Sequence, residues 1–215
     1  STALSSKLNA LAKVINSKNS LPILADFLFD IQDNVLYLTA SDSENVINTQ
    51  MELTESDANG RFAINNHDLL EAIKGFSEQP ITFDVNLQDN IAKISYQNGL
   101  FSLPVENADE YPQSQPITEG INTIVMPSNV LADNINRSLF ATAQDELRPV
   151  MNGIYFDLTP EHLAVVASDG HKLVRNKVFT VQSEQPASFI LPKKPAGLLK
   201  NLLQKVTWIK TQIRL

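Results

Sequence analysis

Residues 21–42, LPILADFLFDIQDNVLYLTASD, return 127 positions later as residues 148–169, RPVMNGIYFDLTPEHLAVVASD. Seven of the 22 aligned pairs are identical, where roughly one or two are expected from ordinary composition. Nearly half of the others exchange one apolar side chain for another. The register runs on without a gap to Phe62-Ala63-Ile64 against Phe189-Ile190-Leu191. A repeat this long is a domain used twice, not a solenoid unit of roughly 20–50 residues. The 215 residues are therefore read as two domains, each long enough to bury a core of its own. Duplicated domains usually build something from their symmetry, so function is to be sought in an assembly.

Outward from the repeat, hydrophobic spacing sets the elements. Leu4, Leu8, Leu11 and Ile15 make one helical stripe and predict a helix over Ser5–Lys18. Alternating runs at Ala25–Ile31, Val35–Ala40, Val46–Leu53 and Gly60–Ile64 predict strands, with Gln32-Asp33-Asn34 as turn chemistry. A second helix is expected over Asn66–Phe76, then strands at Ile81–Asn86, Ile91–Tyr96 and Leu100–Pro104. The second copy repeats the order, with helices over Ser128–Ala143 and Pro192–Lys205 and strands at Gly153–Leu158, Leu163–Ala167, Lys172–Val181 and Ala187–Leu191. Helices interleaved with short antiparallel connections indicate an α+β fold. The first domain is placed at 1–113 and the second at 121–215, with a linker at 114–120 inside the turn-rich stretch Asn107–Gly120. The three strands at 81–104 would recur at 208–231, beyond Leu215, so the second domain is expected to lack about two strands and to bare a sheet edge.

The net charge of −7 is unevenly spread. The four expected helices hold Lys7, Lys13, Lys18, Lys74, Arg137, Lys193, Lys194, Lys200 and Lys205 against only Asp68, Glu71 and Asp133. Helices take Glu almost as readily as Lys, so propensity alone does not account for the bias. It fits one basic, anion-binding face on an otherwise acidic body. Cysteine is absent, which excludes disulfides, thiolate metal sites and a cysteine nucleophile, and suits a reducing cytoplasm. Neither a leader peptide nor an apolar run near the ~18 residues of a membrane span is seen.

Catalytic and cofactor motifs are missing. His67, His162 and His171 are too scattered for a metal-ligand spacing, and no glycine-rich phosphate loop or nucleophile elbow occurs. No cofactor or metal is expected. Asp42 and Asp169 occupy equivalent positions and invite a reading as a catalytic pair, but each sits in a small-polar turn where Asp bonds its own backbone. Distinctive chemistry appears in Ser168-Asp169-Gly170-His171-Lys172-Leu173, whose first-copy counterpart is Ser41-Asp42-Ser43-Glu44-Asn45-Val46. That loop reads either as one wall of a mixed apolar and polar pocket or as an ordinary hairpin turn.

Several of these residues occur in a familiar order. Leu21-Pro22-Ile23-Leu24, Thr39-Ala40-Ser41-Asp42, Glu110-Tyr111-Pro112, Asp145-Glu146-Leu147-Arg148-Pro149, Met151-Asn152-Gly153, Ala167 through Leu173 and Ile190-Leu191-Pro192-Lys193-Lys194 together resemble the bacterial sliding clamp, the β subunit of DNA polymerase III. The likeness runs from the first helix to about Lys205; Val206–Leu215 departs from it.

The resemblance implies a DNA-clamp fold with three such domains per subunit, joined head to tail as a homodimeric ring around duplex DNA. It implies a non-catalytic subunit of a DNA-directed DNA polymerase: a processivity factor for DNA replication, cytoplasmic, without cofactor. Basic helices would face the duplex, with Lys18 and Arg148 in matching loops and Lys193 and Lys194 at the start of a pore-facing helix. Met151, Ser168, Gly170, His171, Lys172 and Leu173 would form half of a pocket for short peptides of the replicative polymerase and clamp loader. Such peptides present a Gln followed by apolar residues ending in Leu-Phe. Phe101 and Leu103 would pack against the third domain of the other subunit. That domain is absent from the sequence, so the chain is read as a clamp fragment that is not expected to form the family's stable ring by itself. A clamp-fold interaction scaffold that does not touch DNA, and a small hydrolase using Asp42 or Asp169, are the competing readings.

Overall fold

Four strands made from the first copy of the repeat, β1 (Asp26–Gln32), β2 (Val35–Ser41), β3 (Val46–Glu52) and β4 (Gly60–Asn65), are the frame on which the first unit is built. The computed structural model describes residues 1–16, 19, 21–113, 121–145, 147–203 and 208–214, with side chains for all of these except 121–123 and 208–214. The chain divides into two compact units, Ser1–Ser114 and Gln115–Leu215. The linker expected at 114–120, and Lys18, Glu146 and Lys205, lie outside the described residues.

In the first unit β5 (Thr82–Asn86), β6 (Ile91–Tyr96) and β7 (Gly99–Asn107) extend that frame, giving the order β3-β2-β1-β4-β7-β6-β5, with every recorded pairing antiparallel. Helices α1 (Thr2–Leu11) and α2 (Asn66–Ile73) pack on each other and on this sheet. Phe29 lies directly across from Phe62, and their rings stack at 5.2 Å. The second unit repeats the pair as Phe156 and Phe189, stacked at 5.0 Å. Its sheet runs β11 (Leu173–Val178), β10 (Leu163–Ser168), β9 (Gly153–Leu158), β12 (Ala187–Pro192). Helices α3 (Ser128–Ser138) and α4 (Lys193–Leu203) pack against it around Ile135, Ile154, Phe156 and Val165. Among the described residues no helix is long and apolar enough to cross a membrane.

Three expectations are corrected. The first helix ends at Leu11, not Lys18, because the chain tightens into bonds from Val14 to Leu11 and from Ile15 to Ala12. An i to i+3 step replaces the helical period, so Val14 is buried where Ile15 was expected. The other helices also shorten: Lys74 caps α2 and Leu139–Ala141 leave α3 as a 3-10 turn. Pro192 belongs to β12 rather than to α4; it stands where the first copy has Asn65, whose side chain accepts the first N–H groups of α2, and it has no side-chain acceptor to do the same.

A strand that periodicity did not reveal, β8 (Ile121–Pro127), pairs with β13 (Trp208–Arg214) along its whole length. It precedes the first position that the repeat aligns, and its partner is some eighty residues away in sequence. In the expected third strand, Lys172 belongs to the loop and pairing ends at Val178.

Both copies close the turn after their second strand in the same way. Gly170 donates to Ser168 Oγ and Ser43 to Ser41 Oγ, each at 3.1 Å. The backbone is left-handed at both, with φ +90 at Gly170 and +81 at Ser43. Serine there is strained where glycine is not. Ser43→Gly is expected to raise the first unit's stability by about 0.5 kcal/mol, read as a shift of its denaturation midpoint at unchanged slope.

Candidate functional site

Basic residues first. Within the helices proper stand Lys7, Arg137, Lys193, Lys194 and Lys200, against Asp68, Glu71 and Asp133. The bias is smaller than the longer expected helices gave, and it is concentrated in α4, which has three lysines and no acid. Lys7 donates to Thr49 Oγ1 on β3 at 3.1 Å, and Lys74 pairs with Glu71 at 3.1 Å. Both lysines therefore meet an incoming anion with a partner already in place. Lys13 is exposed in the turn after α1, and Arg137 is exposed in the last turn of α3.

The loop candidates gather at one end of the second sheet. Val166 stands across from Tyr155 in the β9–β10 register. Continuing that register brings Met151, before β9, to the end where Ser168–Leu173 turns. Asp169 accepts the backbone N–H of His171 and of Lys172, each at 3.0 Å, and pairs with the Lys172 ammonium at 3.1 Å. The backbone donors first, then Lys172, hold its carboxyl far below the usual range. Asp42 accepts from Asn45 and Glu44 in the same manner. Two aspartates so engaged are turn builders, and neither is placed as a general base.

Arg148 donates from Nε to Asp145 at 2.7 Å. That contact comes first among those lowering the Asp145 carboxyl pKa. The guanidinium also reaches the peptide loop: a Cβ on Gly170 would stand 3.2 Å from its Nη1. An open cavity of about 520 Å³ lies here, lined among others by Arg148, Lys193, His171, Lys172, Asp169 and Phe140. Lys172 lies 5.8 Å over the Phe140 ring.

Leu173 opens β11 at 67% exposure, an apolar side chain open to solvent. Met151 is half-buried. Phe140, Leu147 and Val150 are also exposed large apolar residues, and sequence reasoning passed over all three. The repeat held a clue to Phe140, which stands where the first copy has Lys13.

In the first unit Phe101 and Leu103 pair with Ile94 and Ala92 of β6. Phe101 joins Phe76 and Tyr96 in an aromatic cluster with centroids 4.6 to 6.2 Å apart. Strand β7 bonds β4 only through Val105–Asn107. Among the described residues its Gly99–Pro104 stretch therefore has a strand on one side alone.

Residues 1–115 match the family described as DNA polymerase III beta subunit, N-terminal domain, and residues 125–213 match its central domain. The chain belongs to the DNA polymerase III β-subunit family. The central-domain match continues past Lys205, where the sequence reading ended the likeness, and takes in most of β13.

Curated relatives named beta sliding clamp include that of Halalkalibacterium halodurans, 27% identical over 208 residues. That of Haemophilus influenzae is 28% identical over 197 residues. Each alignment covers 92% of this chain, and 54% and 53% of the relatives. The chain thus spans about half the length of the sliding clamps it matches. Among solved structures, the DNA polymerase III beta subunit of Thermotoga maritima superposes with a TM-score of 0.86 at 26% identity. That superposition covers 98% of this chain and 57% of the other.

Proposed function

We propose that this chain supplies two domains of a sliding clamp, a non-catalytic processivity factor that encircles duplex DNA and tethers the replicative polymerase in the cytoplasm. The observation that carries the reading is α4, three lysines and no acid in a chain of net charge −7. In the second unit α4 would turn toward phosphate with Arg137 and Arg148, and in the first unit Lys7, Lys13, Lys18 and Lys74 would do so. Met151 and Ser168–Leu173 form half of a docking site for short peptides of polymerase and clamp loader. Phe101 and Leu103 lie on the half-paired strand β7, which suits them to the seam between subunits of a homodimeric ring. The remaining wall of the pocket and the other side of the seam would come from the part of a clamp that this chain does not span.

Phosphate contacts release counterions and carry no base information, so duplex binding should be insensitive to sequence and steep in salt. The Lys193→Glu, Lys194→Glu double variant should bind duplex about tenfold more weakly at low salt and show a shallower slope. Anisotropy titrations at several salt concentrations measure both. Equal binding and equal slope would remove the face from α4. Peptide docking is read by NMR titration with a peptide containing Gln and ending in Leu-Phe. Shifts should cluster on Met151 and Ser168–Leu173 and vanish when the last two residues are removed.

A further inference from the structure

Asparagine followed by glycine is a chemically fragile pair, and the chain holds three: Asn59-Gly60, Asn98-Gly99 and Asn152-Gly153. The backbone nitrogen after the asparagine can attack the side-chain amide carbon, and glycine, having no Cβ, leaves that approach open. Folding treats the three pairs differently. Asn152 is half-buried and locked: its Oδ1 accepts the Asp145 N–H and its Nδ2 donates to the Asp145 carbonyl, each at 2.9 Å. Asn59 is exposed, but its Oδ1 accepts the Asp33 N–H at 3.0 Å. At both positions, turning the side chain onto the next nitrogen breaks a bond already made.

Asn98 is exposed at the tip of the β6–β7 hairpin, and among the described residues its side chain has no hydrogen-bond partner. The turn is fastened beside it instead, where the Gln97 N–H donates to Gln79 Oε1 at 3.0 Å. Packing accounts for the glycine at 99. A Cβ there would stand 2.6 Å from the Tyr96 hydroxyl oxygen, and the Tyr96 ring lies 4.6 Å from Phe76 and 6.1 Å from Phe101. Neither Asn98 nor Gly99 has a left-handed φ, so the glycine serves that contact and not the turn. The reactive pair is thus built into the hairpin.

We propose that Asn98 is a site of spontaneous deamidation, the fastest of the three. The Gly99 nitrogen bonds to Asn98 Cγ, Nδ2 leaves as ammonia with the Gly99 amide proton, and a five-membered succinimide remains. Water then adds at one of its two carbonyls and opens the ring to aspartate or to isoaspartate. Either product replaces a neutral side chain by a carboxylate ionised at neutral pH. Isoaspartate also inserts a methylene into the backbone between Tyr96 and Gly99, whose pairing closes the hairpin. Strand β7 is loosened at its first residues, next to Phe101 and Leu103. Time, not a ligand, drives the change.

The 215-residue chain is aged at mildly alkaline pH, folded and in guanidinium chloride, and the three sites are followed by peptide mapping with mass spectrometry. Unfolded, all three should react at similar rates. Folding should leave Asn98 within about twofold of its unfolded rate, slow Asn59 about fivefold for one bond broken, and slow Asn152 more than about tenfold for two. Isoaspartate should exceed aspartate at position 98. Amide exchange of the β6–β7 hairpin should quicken in the aged chain and stay nearly unchanged in Asn98→Asp, which adds the charge without the methylene. Asn98 slowed as much as Asn152 would overturn the site. Aspartate formed there without isoaspartate would do the same, since it marks direct hydrolysis. Equal exchange in aged and fresh chains would overturn the loosening of β7.

Discussion

Gly153→Ala is expected to cost the second unit about 3 kcal/mol, the upper end of what overpacking a tight core does. Gly153 opens β9 opposite Pro192 of β12 and is buried. A Cβ there would stand 2.5 Å from Ile190 Cγ2 and 2.6 Å from the Leu191 carbonyl oxygen. The side chain could rotate away, but the carbonyl is backbone of the neighbouring strand and cannot. The strand pair must therefore separate beside the loop that ends at Leu173. Chemical denaturation followed through the second unit's amide exchange measures the loss. An unchanged midpoint would mean that β12 yields without cost.

The same position of the first copy carries the opposite prediction. Asp26 aligns with Gly153 and faces Asn65 where the second copy has Pro192. It is 5% exposed, and its Oδ1 accepts from Asn65 Nδ2 at 3.1 Å. Burial, then Glu106 on β7, raises its carboxyl from 3.8 to about 6; Asp68 on α2 adds to this and the Asn65 bond opposes it. Tyr111, buried on the same side, gives its hydroxyl to the Asp26 carbonyl at 3.5 Å and brings no positive charge.

The folded state thus keeps this proton to about pH 6, while the unfolded chain releases it near 3.8. Stability should fall as pH rises between those values and level off above the higher one. Asp26→Asn keeps an acceptor for Asn65 and removes the charge. It should stabilise the first unit by about 2 kcal/mol at pH 7 and by almost nothing at pH 3.5. Denaturation midpoints across that range test it. A gain of the same size at both pH values would assign the effect to packing instead of charge.

How much of this was legible in the residues differs from place to place. The turn chemistry of Ser41-Asp42 and Ser168-Asp169 could be read directly, because an Asx turn is made by neighbours in sequence. The hairpins joining consecutive strands were legible for a related reason, since short connections favour antiparallel neighbours, but the return of β4 to β1 and of β12 to β9 was not. The end of α1 was not, since a change from a 3.6 to a 3-residue step needs only two bonds and leaves the apolar pattern almost intact. The site was half legible. Ser168–Leu173 stood out by its composition, whereas nothing in the local pattern singled out Phe140, Leu147 and Val150, which only the fold shows to be exposed.

By itself the sequence determined that one domain is used twice, that each copy sets two helices against antiparallel strands, and that lysines without acids gather on the last helix. These follow from periodicity, turn residues and composition, all of which act over a few neighbouring positions. Only the tertiary structure decided that β8 finds its partner in β13, that a carboxyl is sealed at position 26 where the other copy admits no side chain, and that Arg148 lies over Gly170. Those three outcomes depend on which surfaces meet across long stretches of chain. Packing and desolvation are set there, and no local pattern encodes them.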